Sequence, residues 1–320
     1  MNVFRGSSEV GDALVGCAVV IGNFDGVHLG HQALFARARQ LAGAGGTVAA
    51  LTFEPHPARY FKPELAPPLI DTDEQKLRLL EAQSVDGVIV ERFDADLAAL
   101  TPHQFVKRVL VDAIRAAHVV VGEDFVFGKQ RSGNLATLQA LGEDLGFIAH
   151  GVEHVRADAI IVSSTKVREF VLMGRPDGAR ALLGRPFTVV GEVVKGDGRG
   201  STIGVPTANV NVQNGLRPAR GVYAGFAIRA DGSRHPSVIN VGYAPTIKNT
   251  DDVTFEAHLL DMRADMLGET LAVELWHRLR DEKRFGSVDE LVAQIHADIA
   301  RGRELLGANL PASAAVGEAQ

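Results

Sequence analysis

Short apolar runs alternate with amphipathic stretches through the first half of the chain. The apolar runs begin at residues 17, 47, 86 and 118 and read CAVVIG, TVAALTF, DGVIVERF and HVVVGEDF. Between them the spacing of apolar positions predicts helices over residues 30–42, 73–83 and 102–116. Strands that alternate with helices in this way are typical of a mostly parallel sheet, so this half is predicted to be an α/β domain.

Two local signals support these helices. In the first helix, six positions fall on one face at three- and four-residue spacing, namely His31, Leu34, Phe35, Ala38, Leu41 and Ala42. In the second, Thr72 and Gln75 have the spacing of a capping box. Both helices are therefore predicted to begin close to these residues.

From about Phe187 the pattern changes to short β-rich segments separated by Gly, Asp, Asn and Pro. They read FTVVGEVV, GVYAGFAIR, HPSVINVG, VTFEAHLLD and LAVELWHRL, and a helical pattern follows over residues 288–305. This series of short strands followed by a helix predicts an antiparallel β-barrel with a terminal helix. We place the boundary near Gly184–Pro186, which gives a first domain of residues 1–184, a second of 185–308 and a flexible tail of 309–320.

The composition limits the cellular location and the kinds of binding partner that we expect. A chain of 320 residues favours two domains, and its single cysteine, Cys17, stands in an apolar run where a buried thiol is expected. A net charge of −6, with both signs interspersed, gives no broad field for nucleic acid. We find no leader and no membrane-length apolar run. The expectation is a cytoplasmic monomer or weak homo-oligomer that binds small molecules and neither nucleic acid nor membrane.

The loop after the first strand, GNFDGVHLGH, occupies residues 22–31. Ligands of parallel sheets bind at the carboxyl ends of the strands, and glycines at this place let a phosphate approach the backbone and the free amides of the next helix. His28 and His31 would donate hydrogen bonds to phosphate oxygens. The alternative is a surface histidine pair or a partial metal site.

A second predicted anion site is SSTKVREF, residues 163–170. Ser163, Ser164 and Thr165 stand where a helix begins, with Lys166 and Arg168 close behind. Taken alone, such serines most often only cap a helix. Together with the histidine loop, they predict two points at which a triphosphate is held.

These residues resemble a known family. GNFDGVHLGH and SSTKVR resemble the H-x-G-H and I-S-S-T-x-x-R signatures of nucleotidyltransferases, with Val162 in place of the isoleucine. The segments TFEPHP and GEDFVFGKQRSGN narrow the resemblance to the N-terminal module of bacterial bifunctional riboflavin kinase/FMN adenylyltransferases. The resemblance implies a Rossmann-like nucleotidyltransferase domain that converts FMN and ATP into FAD and pyrophosphate.

The resemblance also implies roles for particular residues. His28 and His31 would stabilise the transition state, and Ser164, Thr165 and Arg168 would hold the β- and γ-phosphates. Asn23 and Asp25 would shape the loop. The full set of expected ATP contacts in this domain is Gly22, Asn23, Phe24, Asp25, Gly26, Ser163, Ser164, Thr165 and Arg168. The flavin is expected near Phe53, His56, Asp124, Phe125 and Phe127, although each phenylalanine could equally be ordinary core.

A second glycine-rich stretch, GEVVKGDGRGSTIGVPTANV, covers residues 191–210. After Pro206, the hydroxyl of Thr207 and the amide oxygen of Asn209 stand two residues apart in an extended segment. They therefore point the same way and could share one Mg²⁺. The alternative is a turn in which both side chains bond their own backbone.

The same half resembles the riboflavin kinase module of that family through PTAN, GVY, NVG..PT, E..LLD and LR.E..F. The resemblance implies that Glu256 is the general base for the 5′-hydroxyl of riboflavin and that Thr207 and Asn209 hold Mg-ATP. Gly196, Gly198 and Gly204 are expected at the nucleotide, and Arg280 and Phe285 on the flavin side.

Four positions depart from the family pattern: Ser201, Val205, Ile247 and Leu267. They leave a second hypothesis open, an FMN adenylyltransferase whose barrel binds flavin but lacks kinase activity. A third hypothesis is a flavin-binding regulator without catalysis, which the presence of both sets of catalytic groups disfavours.

Overall fold

The computed structural model describes residues 1–196, 204–243, 253–262 and 264–307. By their internal contacts the residues form two compact units. The first contains residues 1–69 and 73–164, and the second contains residues 70–72 and 165–320. The predicted domain ranges 1–184 and 185–308 stay a prediction, and the predicted tail lies outside the described residues.

The first unit is built on a six-stranded parallel sheet with the order β1-β4-β3-β2-β5-β8. These strands are β1 (Asn2–Phe4), β2 (Ala18–Ile21), β3 (Val48–Glu54), β4 (Gly87–Arg92), β5 (His118–Gly122) and β8 (Ile148–Val152). Two short pairs stand apart from it, β6 (Val126–Phe127) with β7 (Gly133–Asn134) and β9 (Arg156–Ala157) with β10 (Ile160–Ile161).

Six α-helices occur in the described part of this unit, and those that begin at Leu29, Asp73 and Pro102 match the predicted ones. The six are α1 (Leu29–Ala42), α2 (Pro57–Phe61), α3 (Asp73–Glu81), α4 (Ala95–Ala99), α5 (Pro102–Phe105) and α6 (Leu135–Leu145). A wider π-helix, Val106–Ile114, continues α5, and Arg115 follows in the left-handed conformation. The α/β class is therefore confirmed. The edge strand β1 and the short β6–β7 pair carry too little periodicity to be predicted.

Each face of the sheet has its own apolar core, because successive strand side chains point to opposite sides. Val19 and Ile21 of β2 pack on one face with the π-helix, and Ala18 and Val20 pack on the other with α1 and α3. Cys17 is fully buried, and burial raises the pKa of its thiol to about 12. The expectation of a buried thiol is confirmed.

Strand β2 lies at the point where the strand order reverses. Its neighbours are β3, the next strand in the chain, and β5, which begins the opposite half of the sheet. Loops at such a switch point diverge and leave a crevice at the carboxyl edge. The glycine loop after β2 therefore occupies the place where a parallel sheet binds its ligand.

The second unit contains a closed antiparallel barrel with the order β11-β12-β15-β14-β13-β16. Its strands are β11 (Phe187–Val194), β12 (Ala208–Val212), β13 (Gly221–Ile228), β14 (Arg234–Tyr243), β15 (Val253–Leu259) and β16 (Thr270–Arg280). Five of the six match the predicted segments. The sixth, β12, begins inside the predicted Pro-Thr-Ala-Asn segment and closes the barrel between β11 and β15.

Within the described ranges, three more helices follow: α7 (Ser164–Leu172), α8 (Pro176–Leu183) and α9 (Val288–Leu306). The last was predicted from its pattern. Ser287 caps it by accepting a hydrogen bond from the amide of Glu290, and Ile299 packs over Val222, Val238 and Leu260 of the barrel. The predicted fold of the second half is thus confirmed.

One short segment from the first half belongs to the second unit. The side chain of Asn214, which is 1% exposed, donates to the carbonyl oxygen of Ile70 at 2.9 Å and accepts from the amide of Val190 at 2.8 Å. Next to it, Asp71 pairs with Arg185 at 3.3 Å, and burial lowers the pKa of that guanidinium. No pattern in the sequence predicts that residues 70–72 contact the second unit.

Candidate active sites

The glycine loop has a backbone that few other residues could form. A Cβ at Gly22 would lie 2.9 Å from the ring of Phe24, and Gly26 has a φ of +89°. Phe24 and Val27 themselves adopt positive φ, at 50° and 34°. Strain of this kind persists only when the surroundings hold it, and it is common at ligand sites.

Two side chains from elsewhere in the first unit hold the loop. Thr52, fully buried at the end of β3, lies with its hydroxyl 3.3 Å from the carbonyl oxygen of Asn23. The hydroxyl of Ser164 donates to the carbonyl oxygen of Asp25 at 2.7 Å. The two predicted motifs therefore meet, and Ser164 joins them by fixing the histidine loop.

His28 is the N-cap of α1. Its Nδ1 accepts a hydrogen bond from the backbone amide of His31 at 3.3 Å, and the residue is 6% exposed. An accepting Nδ1 carries no proton, so the neutral ring has its proton on Nε2. The helix cap thus leaves Nε2 as a hydrogen-bond donor.

His31 stacks on His28, with ring centroids 3.7 Å apart and planes 15° from parallel. Its Nδ1 is enclosed and has no hydrogen-bond partner among the residues that the structure describes. Burial, followed by the neighbouring His28, lowers the pKa of His31 well below its usual 6.5. A buried polar atom without a partner calls for an explanation, and a ligand oxygen would supply the missing bond.

The remaining predicted phosphate contacts lie at the start of α7. Ser163 is half-buried before the helix, Thr165 is exposed in its first turn, and Arg168 is buried one turn later, at 9% exposure. Lys166 points to solvent and pairs with Glu169 at 2.6 Å. Their contact with a phosphate stays a prediction.

The predicted flavin residues flank the histidine loop. Phe53 lies near the end of β3, and His56 follows that strand. Asp124 and Phe125 follow β5, and these two strands lie on either side of β2. Phe127 is 8% exposed and packs in the core against Phe105 and Phe125. His56 caps α2 through its Nδ1, and Asp124 lies 3.9 Å from His154.

Sequence reasoning missed an aromatic cluster beside Phe53. Phe93 packs edge-on against Phe53 at 5.9 Å, and it also contacts Tyr60 at 5.4 Å and Phe61 at 5.6 Å. Phe61 is 62% exposed. The sequence shows part of this cluster as two adjacent aromatic residues in a short polar segment. Large rings in such a segment are expected at the surface, where they mark a binding surface more often than a core.

In the second unit a cleft of about 660 Å³ opens beside the start of β12. Thr207 and Asn209 line it, as do Lys195, Gly196 and Gly204. Apolar residues of the segment after β15 line it as well, namely Met262, Ala264, Met266 and Leu267. Thr207 and Asn209 are half-buried while Ala208 is buried, so the two polar side chains share one face as predicted.

Glu256 lies in a row of polar side chains across three strands. It pairs directly with Asn209 of β12 on one side and with Asn240 of β14 on the other. Residues directly opposite each other in a sheet point to the same face with Cβ atoms about 5 Å apart. The carboxylate is thus flanked by two carboxamides, one of which lines the cleft.

Gly242 borders this row on the side away from the cleft. A Cβ at Gly242 would lie 2.9 Å from the carboxylate of Glu282, 3.1 Å from the hydroxyl of Thr254 and 3.2 Å from the amide of Asn240. The glycine therefore leaves room among three polar side chains that the sequence analysis did not single out.

The glycines of the second stretch have different roles. A Cβ at Gly196 would lie 2.0 Å from the amide nitrogen of Asn209, so only glycine lets the chain pass this side chain. Gly204 has a φ of +79° and faces open space. Gly198 lies outside the described residues, as do Ser201 and Ile247. Val205 is 6% exposed, and Leu267 is 61% exposed at the cleft.

Arg280 is held by the terminal helix. Its guanidinium makes a double hydrogen bond to the buried carboxylate of Asp298, with distances of 2.8 to 3.1 Å. It also lies 5.7 Å from the ring centre of Phe285. The two predicted flavin residues are thus together, and Asp298 sets the direction of the arginine.

A parallel α/β unit with histidines at its switch point, next in the chain to a closed barrel with a carboxylate beside a cleft, defines a nucleotide-dependent transferase of two domains. The profile of the FAD synthetase family matches residues 12–166, and that of the riboflavin kinase family matches residues 183–306. The chain belongs to the family of bifunctional riboflavin kinases/FMN adenylyltransferases, whose two activities both use ATP.

Relatives match over nearly the full length. The bifunctional riboflavin kinase/FMN adenylyltransferase of Pseudomonas fluorescens is 38% identical, with 95% of this chain and 98% of the relative covered. The protein of the same name from Escherichia coli K12 is also 38% identical, with 98% and 100% covered. A crystal structure described as a macrolide-efflux protein from Streptococcus pneumoniae has a TM-score of 0.84 at 30% identity and covers 94% of this chain. That chain is covered to 98%.

None of the helices in the described ranges is both long and apolar enough to span a bilayer. Among the same residues, no group of three or more His, Cys, Asp or Glu side chains is arranged to hold a metal ion.

Proposed function

We propose that the chain phosphorylates riboflavin to FMN in its barrel and adenylylates FMN to FAD in its α/β unit. The observation that carries the proposal is that each unit contains side chains suited to one of the two reactions. The first has stacked histidines, and Nδ1 of His31 is buried with no partner in the described part of the chain. The second has Glu256 between two carboxamides beside a cleft.

In the adenylyl transfer, a phosphate oxygen of FMN attacks the α-phosphorus of ATP, and the bond to the bridging oxygen breaks to release pyrophosphate. Negative charge grows on the oxygens around the α-phosphorus, where His28 Nε2 and His31 would donate hydrogen bonds. Positioning and charge neutralisation are most of what such a transfer requires. Thr165 and Arg168 are proposed to hold the β- and γ-phosphates.

The flavin of this unit is proposed to lie on the aromatic side chains that flank the histidine loop. Phe53 and Phe125 come from the ends of the two strands next to β2, and the exposed ring of Phe61 extends the same surface. Such rings offer flat apolar faces that suit an isoalloxazine. Phe127 supports Phe125 from the core.

In the kinase reaction, Glu256 would take the proton from the 5′-hydroxyl of riboflavin while that oxygen attacks the γ-phosphorus and ADP leaves. A carboxylate within hydrogen-bond reach is sufficient for this step. We propose that the polar side chains around Gly242 bind the ribityl hydroxyls and that Arg280 and Phe285 contact the flavin ring.

The donors at the cleft fit a magnesium ion. Mg²⁺ prefers oxygen ligands and is usually held by few protein groups together with substrate phosphates and water. The hydroxyl of Thr207 and the amide oxygen of Asn209 are donors of this kind on one face of an extended segment. Bound there, the ion would offset the charge of the phosphates.

An adenylyltransferase without kinase activity is the second candidate, and Leu267 is the observation that favours it. The family pattern has tyrosine there, and this chain has an exposed leucine at the edge of the cleft. A weaker contact with the nucleotide base would follow. The location in the cytoplasm and the monomeric or weakly associated state remain predictions.

The decisive experiment is a product analysis. The protein is incubated with riboflavin, ATP and Mg²⁺, and in a second tube with FMN in place of riboflavin, and the flavins are separated by chromatography. FAD in both tubes supports the proposal. FAD only from FMN supports the second candidate, and unchanged flavins in both tubes contradict both.

Two variants assign the sites. His31→Ala should lower FAD formation by roughly 10²-fold or more, as loss of a transition-state donor does, and leave FMN formation intact. Glu256→Gln keeps the shape of the side chain but removes the base, so it should abolish FMN formation and spare FAD formation from FMN. Equal loss of both activities in either variant would refute separate sites.

A further inference from the structure

His258 is a polar group of the barrel that neither reaction step above uses. It lies on β15 two residues after Glu256, and the alternation of strand side chains sets both on the same half-buried face. Its Nδ1 is 2.7 Å from the carbonyl oxygen of Pro206. A carbonyl oxygen only accepts, so Nδ1 carries the proton and donates it.

This hydrogen bond lies just outside the strand ladder that leads to the cleft. The ladder between β12 and β15 joins Ala208 with Ala257 and Asn209 with Glu256, and β12 begins at Ala208. Pro206 and Thr207 thus precede the ladder, and a proline has no backbone N–H with which to extend it. The hydrogen bond from His258 to Pro206 lies beyond the end of the ladder and holds the segment that precedes Thr207.

We propose that His258 is a positioning residue for the nucleotide of the kinase site, an inference that rests on the proposed kinase function. By holding the carbonyl of Pro206, it sets the direction in which the Thr207 hydroxyl and the Asn209 carboxamide face the cleft. Strand β15 then carries both the base for one substrate and the anchor for the segment that binds the other. The two substrates are thereby aligned on a single strand.

The test compares His258→Leu with His258→Gln in the full-length protein. Leucine cannot donate, whereas the glutamine carboxamide retains an N–H that reaches toward Pro206. We expect His258→Leu to raise KM for ATP in riboflavin phosphorylation about tenfold, the size of one hydrogen bond, with kcat changed less than threefold. His258→Gln should restore KM to within about threefold of the original.

Two controls accompany the kinetics. His235→Leu removes another half-buried histidine of the same barrel, whose ring contacts Ser233 rather than the cleft, and should leave KM unchanged. FAD formation from FMN should be unaffected in every variant. An unchanged KM in His258→Leu, or a fall in kcat with KM unchanged, would overturn the assignment.

Amide hydrogen exchange provides a readout independent of activity. In His258→Leu the peptide that spans residues 204–209 should exchange faster, while His235→Leu should leave it unchanged. If the unmodified protein makes no FMN, the proposed kinase function fails, and faster exchange would still support the anchoring contact. Unchanged exchange in His258→Leu would refute that contact whatever the activity.

Discussion

The double use of His28 leads to a sharp prediction, because one ring nitrogen caps a helix and the other is proposed to serve the reaction. His28→Asn keeps a side-chain oxygen that accepts from the amide of His31, since asparagine is among the best N-cap residues. His28→Ala removes the cap. Both variants remove Nε2.

The expected magnitudes follow from these two losses. An N-cap is worth about 1 kcal/mol, so His28→Ala should be less stable than His28→Asn by about that amount. For a unit of about 160 residues the difference corresponds to roughly 2–4 °C in melting temperature. In contrast, both variants should lose roughly 10²-fold or more of FAD formation, because each lacks the donor to the transition state.

Thermal melts and FAD formation from FMN, measured on the same preparations, separate the two roles. Ser287→Ala is the matched control, since Ser287 caps α9 through the amide of Glu290 at 3.2 Å. It should cost about 1 kcal/mol of stability and leave FAD formation unchanged. Equal stability of the two His28 variants would refute the cap, and full activity of His28→Asn would refute the role of Nε2.

Three further predictions concern single groups. Cys17, whose pKa is raised to about 12 by burial, should not react with a thiol reagent at pH 8 until the protein is unfolded, when one thiol per chain should appear. Because burial lowers the pKa of folded His31, the unfolded chain binds its proton first, and stability should fall as the pH drops through about 6.5. Melting temperatures at pH 7.0 and 5.5 should therefore differ less in His31→Gln than in the unmodified protein, and an equal difference would refute the shift. Asp298→Ala should destabilise the barrel by about 3 kcal/mol because it leaves the guanidinium of Arg280 without the carboxylate of its ion pair. Glu304→Ala breaks an exposed pair and should cost less than about 0.5 kcal/mol in the same melts.

Much of the fold was accessible to sequence reasoning because it depends on local periodicity. The alternating runs predicted β2, β3, β4 and β5, and the apolar face of residues 31–42 predicted α1. Five barrel strands and α9 followed in the same way. The missed strands, such as β1 and β12, are segments of three and five residues, which are too short for a clear local period.

The candidate sites likewise contain residues that the sequence revealed and residues that only the structure revealed. The histidine loop and the Pro-Thr-Ala-Asn segment were found from residue types and spacing. The aromatic surface at Phe61, the row of Asn240 beside Glu256 and the anchor at His258 were not found. The row and the anchor depend on which strands become neighbours, which is a property of the sheet order. The pair Tyr60–Phe61 is visible in the sequence, but its contact with Phe93 is a tertiary one.

What the chain determines by itself is the type of its elements and the chemistry available at their ends, because side-chain period, helix caps and glycine conformations are local. Only the tertiary structure decided which nitrogen of His28 is left to donate, that Ser164 fixes the loop at Asp25, and that residues 70–72 belong to the second unit. These outcomes depend on contacts between residues separated by long stretches of chain, or on the geometry of a single hydrogen bond. Such contacts form only when the packed core brings their partners together.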